Sequence, residues 1–104
     1  MAKFPISDLQ SFKDYVVYVQ TYLPDRFPRR RAVGPEDQWT ADLAFEGLRL
    51  GLNMAIEEKG KRVEFAESRR LVDEAYNAYK SGDIRRGFMK LEQVQKLLQK
   101  IPSQ

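Results

Sequence analysis

Neither cysteine nor histidine occurs among the 104 residues. The first absence excludes disulfides and thiolate zinc sites and fits a reducing compartment, so the expected location is cytoplasmic. The second removes most zinc and non-haem iron sites, imidazole acid–base catalysis and histidine pH switching. No glycine-rich phosphate loop and no nucleophile elbow is present. Paired acids do occur at Glu57-Glu58, Asp73-Glu74 and Glu64/Glu67. Metal sites in helical bundles, however, pair Glu-x-x-His motifs across helices, which this composition cannot supply. The chain is therefore expected to be no enzyme, with no cofactor and no metal. Its opening, MAKFPISD, lacks the apolar stretch of a secretory signal. The uncharged run from Leu50 to Ile56 is far too short to span a membrane.

What is present fits one helical domain. A length of 104 residues with 42% hydrophobic and 32% charged residues suits a single core. The stretch that organises it is Ala41–Ile56, ADLAFEGLRLGLNMAI. At 100° per residue, Asp42, Glu46, Arg49 and Asn53 form one narrow polar strip, and about two-thirds of the circumference is left apolar or glycine. Ala44, Gly47, Gly51 and Ala55 run along the middle of that arc. Leu43, Leu50 and Met54 flank them on one side, Phe45, Leu48, Leu52 and Ile56 on the other. Each interior glycine costs roughly 1 kcal/mol against alanine, so close approach of a second helix must favour it. That second helix belongs either to the same chain or to a second subunit, which makes a homodimer an alternative.

In chain order, Ser7 with Gln10 offers a capping box for a first helix over 8–23. Leu9, Phe12, Val16, Val19 and Leu23 supply its seam, widened by Tyr15 and Tyr22. Pro24 stops it. Residues 24–35, PDRFPRRRAVGP, form a long Pro/Arg-rich loop. Phe27 and Val33 are expected to pin that loop, with Trp39 packed beneath it. Gly34-Pro35-Glu36-Asp37 predicts a second helix from 36 to 59, capped by Gly60. A third, over 62–80, buries Phe65, Leu71, Val72, Ala75, Tyr76, Ala78 and Tyr79, and carries Arg69–Asp73 and Arg70–Glu74 as i,i+4 pairs. After a Ser81-Gly82-Asp83 reversal, a fourth over 84–100 buries Ile84, Phe88, Leu91, Val94, Leu98 and Ile101. The predicted fold is all-α, a four-helix bundle or a related orthogonal arrangement.

Residues 75–98, AYNAYKSGDIRRGFMKLEQVQKLL, combine Tyr76 and Tyr79 before a K-x-G-D turn (Lys80, Gly82, Asp83) with Gly87 early in the next helix. This segment resembles the hairpin of a tetratricopeptide-type repeat, a family whose membership would imply a peptide-binding scaffold. The resemblance covers under a quarter of the chain and helices 1 and 2 do not repeat its spacing, so it describes how a helical hairpin is built.

Charge is unevenly distributed. The net +3 divides into +3 over residues 24–34, −4 over 35–59 and +4 over 80–100. Arg26, Arg29, Arg30 and Arg31 lie in the loop with Phe27 between them, a combination suited to phosphate contact and stacking or simply to solvation. On helix 4, Arg85, Arg86, Lys90, Lys96 and Lys100 fall within an arc of roughly 140° opposite the apolar seam. Such a face either lies along nucleic acid or an acidic surface, or is merely solvated. Tyr15, Tyr18 and Tyr22 form an i, i+3, i+7 ladder, expected to be a core edge except at Tyr18. The chain is thus expected to be a protein–protein interaction module whose partner is another protein or a second copy. The alternative is a nucleic-acid-binding bundle using the arginine loop with the basic face of helix 4.

Overall fold

The computed structural model describes residue 4, residues 6–23 and residues 40–102. Four helices are formed: α1 (Leu9–Tyr22), α2 (Ala41–Lys59), α3 (Val63–Lys80) and α4 (Ile84–Gln99). The arginine loop, Phe27, Val33, the Gly34-Pro35 segment and Trp39 lie outside the described residues.

Two helix starts differ from the sequence expectation. The α1 cap is Asp8, whose carboxylate accepts from the Ser11 amide at 2.8 Å while Ser11 Oγ accepts from the Asp8 amide at 3.0 Å. The capping box is therefore shifted one residue from Ser7/Gln10. A carboxylate at the positive end of a helix makes a charge-assisted bond that a serine hydroxyl cannot. Those bonds also hold the Asp8 carboxyl below its ordinary pKa. Helix α2 begins at Ala41 and not at 36. Thr40 is extended (φ −130°, ψ 168°), and its hydroxyl accepts from the Leu43 amide at 3.1 Å.

Each helix runs antiparallel to its sequence neighbour. Tyr15 meets Ala44 while Leu9 meets Glu58; Asp42 meets Lys80 while Asn53 meets Arg69. Lys13 reaches the Ile101 carbonyl and Gln20 the Phe88 carbonyl, so α1 and α4 are also antiparallel neighbours. Among the described residues α1 packs on α2 and α4, and α3 packs on α2 and α4, with no close backbone approach across either diagonal. The result is an up-down-up-down four-helix bundle.

Two glycines of α2 bring its backbone close to α1. A Cβ placed on Gly51 would fall inside the Phe12 ring, and one on Gly47 would overlap the Tyr15 phenol and approach Phe4. The Tyr15 hydroxyl donates to the Ala44 carbonyl at 2.9 Å, so its polar atom is satisfied at 2% exposure. Burial raises the Tyr15 pKa well above the ordinary phenol value. The two glycines thus serve packing inside one chain, and a dimer seam through them is overturned. The two shoulders of the α2 arc are covered unequally: Phe45, Leu48 and Leu52 are buried and Ile56 partly so, whereas Leu50 on the other side is 42% exposed.

Side-chain pairing also departs from the i,i+4 expectation at one place. Arg70 does pair with Glu74, and with Glu67 as well. Arg69, in contrast, donates to Asn53 Oδ1 at 2.6 Å, and Asp73 accepts from Arg49 at 3.2 Å. The polar strip of α2 lies against this side of α3 and offers partners that an isolated helix lacks. Two buried polar atoms on α3, Ser68 Oγ and the Tyr79 hydroxyl, are left over. Ser68 Oγ is fully buried and finds no hydrogen-bond partner among the described residues.

Two stability predictions result. Gly51→Leu is expected to cost about 1–3 kcal/mol by overpacking against Phe12, and Phe12→Ala in the same chain should recover part of that loss. Equilibrium denaturant unfolding of both variants checks it; an unaltered Gly51→Leu midpoint would mean the gap is loose. Ser68→Ala should raise stability by about 1 kcal/mol, because it removes an unpaired buried hydroxyl and improves helix propensity. A loss of stability in that variant would show that the hydroxyl has a partner.

Candidate interaction surface

The α3–α4 hairpin sets the position of the basic helix. Gly82 adopts φ +89°, the left-handed region that side chains avoid, and lets the chain reverse within three residues. The Asp83 amide donates back to the Ala78 carbonyl at 2.8 Å, and the Asp83 carboxylate caps α4 by accepting from the Arg86 amide at 3.2 Å. Gly87 then lies against the Tyr79 ring, where a Cβ would collide with it. Tyr79 is 7% exposed, and burial pushes its hydroxyl up to about 12.

This hairpin fixes which face of α4 points inward. The buried residues are Gly87, Leu91, Val94 and Leu98, followed by Ile101. Ile84 and Phe88, expected in the core, are instead 39% and 48% exposed. They lie roughly 60–100° from the centre of the buried arc, on the flank where Gln20 reaches the Phe88 carbonyl. Met89, which the sequence reading assigned to no role, is 53% exposed. Placing Gly87 in the buried set would have found this face, because its small size marks the closest approach to α3.

The basic residues of α4 divide in two. Arg85, Arg86, Lys96 and Lys100 are exposed. Lys90 is drawn away from them: its ammonium lies 2.7 Å from Glu74, with the side chain only 19% exposed. Lys90 therefore belongs to the α3–α4 seam and leaves the candidate patch. The hydrogen bond from Lys90, followed by that from Arg70, holds the Glu74 carboxyl below its ordinary range. Arg26, Arg29, Arg30 and Arg31 fall outside the described residues.

The diagonal helix carries the opposite charge. On α2, Glu46 and Glu57 are exposed on either side of Leu50. Asp42 is engaged differently: it accepts from the Tyr76 hydroxyl at 2.9 Å and from Lys80 at 3.4 Å, and these bonds lower its pKa. Arg49 stacks over the Tyr76 ring at 5.2 Å, and Tyr76 and Tyr79 both pack on Phe45. Tyr15 is core, while Tyr18 and Tyr22 are half-buried and pack against one another, tilted by 56° with ring centres 4.9 Å apart. The rings thus serve packing rather than an open stacking platform. Among the described residues no group of three potential ligands is arranged for a metal ion. No described helix is long and apolar enough to cross a membrane.

The lowered carboxylates fix the sign of the acid response. Asp8, Asp42 and Glu74 have folded pKa values below their unfolded ones. Their contribution is present above about pH 4 and is lost as pH falls through the depressed values. The melting temperature should therefore drop on acidification below about pH 4, with a shallower fall in Glu74→Gln. An identical slope in wild type and Glu74→Gln would show that the Lys90–Glu74–Arg70 cluster adds nothing to folding.

No protein-family model, curated protein or solved structure matches this chain.

Proposed function

We propose that this protein is a non-catalytic interaction module that binds a protein partner through the outer face of α4. The observation carrying this reading is the crowding of exposed apolar side chains. Of six large hydrophobic residues exposed among the described residues, three (Ile84, Phe88 and Met89) lie within residues 84–89, interleaved with Arg85 and Arg86. Aromatic residues, methionine and arginine are the types enriched at protein interfaces. Exposed apolar side chains set among charges are what such an interaction site presents. The matching ligand is an acidic segment with apolar residues at helical spacing, able to lie along α4.

Nucleic acid is the competing ligand, bound by Arg85, Arg86, Lys96 and Lys100 together with Arg26, Arg29, Arg30 and Arg31. Phosphates would satisfy the cations but offer Ile84 and Met89 nothing to bury against. That favours the protein reading.

A titration followed by amide NMR shifts separates the two, using an acidic amphipathic helical peptide and a short DNA duplex as probes. The peptide should perturb α4 amides, and Phe88→Ala with Met89→Ala should weaken it at least tenfold, about 1.4 kcal/mol. Duplex binding that survives this double variant, weakens steeply with salt and is lost on changing Arg29, Arg30 and Arg31 to Glu would establish the nucleic-acid reading instead. Binding of neither probe at low salt overturns the module.

A further inference from the structure

Resting on that reading of the α4 face, we infer that its occupant is the α2 face of a second copy of this chain. On α2, Glu46, Leu50, Asn53 and Glu57 follow one another at steps of four, three and four residues, and Glu46, Asn53 and Glu57 are exposed around a 42%-exposed Leu50. Those steps keep them within roughly 60° of one another along one straight stripe about 16 Å long. On α4, Arg85, Met89, Glu92 and Lys96 repeat the same steps, with a 53%-exposed Met89 in the position of Leu50. Laid parallel, the stripes place Glu46 opposite Arg85, Leu50 opposite Met89 and Glu57 opposite Lys96. The antiparallel alignment of the same charges sets Leu50 against Glu92 and Met89 against Asn53, so the parallel one is preferred.

The four charges are available for this. Among the described residues no ion pair engages Glu46, Glu57, Arg85 or Lys96, whereas Asp42, Arg49, Glu74 and Lys90 are paired within the bundle. Helices α2 and α4 stand across the diagonal of the bundle, with no close approach of their backbones. Their solvent faces therefore point in opposite directions, and a chain cannot satisfy one with the other. The alternating course of the four helices makes α2 and α4 parallel within a copy. A neighbour displaced sideways, without inversion, brings α4 of one copy alongside α2 of the next. The contact is heterologous, so each copy keeps one face free and association is open-ended unless a ring closes. Because the charges are at the surface, association is strongest at low salt.

Sedimentation velocity on the full chain tests this. The mass should rise above 12.2 kDa with concentration at low salt and return toward it at high salt. Glu46→Lys with Glu57→Lys, and separately Arg85→Glu with Lys96→Glu, should each abolish association. Mixing the two variants should restore it, since each then offers the charge the other lacks, and restoration also shows that both are folded. Leu50→Ala, which leaves every charge in place, should weaken wild-type association at least several-fold. A wild-type mass that stays at 12.2 kDa at every concentration in low salt overturns the inference. So does association that both reversed variants retain, or a mixture of folded variants that remains monomeric. If the chain stays monomeric while the acidic peptide still binds α4, the inference falls and the interaction-module reading stands.

Discussion

The bundle depends on the approach of two aromatic rings to two bare stretches of backbone. Phe12 and Tyr15 of α1 occupy the volume that side chains at Gly51 and Gly47 would fill. A helix gives up roughly 1 kcal/mol of propensity at each such glycine. Burial of a phenyl and a phenol ring offsets this, each removing on the order of 150 Å² or more from water. The Tyr15 hydroxyl adds a directional constraint, because its bond to the Ala44 carbonyl fixes how far α1 can slide along α2. With that distance and register set, Phe45, Leu48 and Leu52 turn toward α3 and the rest of the ring closes.

The sequence made the helices and most of the core legible because periodicity at 3.6 residues reports burial directly. The α1 seam from Leu9 to Leu23 and the α2 groove from Ala44 to Ala55 are buried as their spacing implies. What escaped was set by geometry between elements. The true phase of α4 depends on Gly87 seating against Tyr79, and without that contact Ile84 and Phe88 look like core. Arg69 and Lys90 looked like solvent-facing charges until α2 supplied Asn53 and α3 supplied Glu74. The α1 cap lies one residue on from Ser7, at Asp8, and α2 starts at Ala41 behind Thr40 rather than at the Pro35-Glu36-Asp37 signal, because a hydroxyl cap at Thr40 serves the first turn directly.

The charge pattern has a similar history. A one-dimensional count finds an acidic segment between two basic ones, and a packed bundle was free to neutralise them internally. It does so only in part. Asp42 binds Tyr76 and Lys80, and Glu74 binds Arg70 and Lys90, so the seams beside α3 consume matched charges. Among the described residues the unmatched remainder is sorted by the diagonal: acid on the outside of α2, base on the outside of α4. Each remainder surrounds an exposed apolar side chain, Leu50 on α2 and Met89 on α4.

The short reversal at Ser81-Gly82-Asp83 also bears on how the chain reaches this structure. It joins α3 and α4 with almost no loop to close, so their contacts form at little entropic cost and span few residues. The contacts between α1 and α4, such as Lys13 with Ile101, bridge nearly the whole described chain and must wait for the intervening helices. The hairpin is thereby the most local packing unit of the bundle, and the α1–α4 seam is the one whose closure spans the most chain.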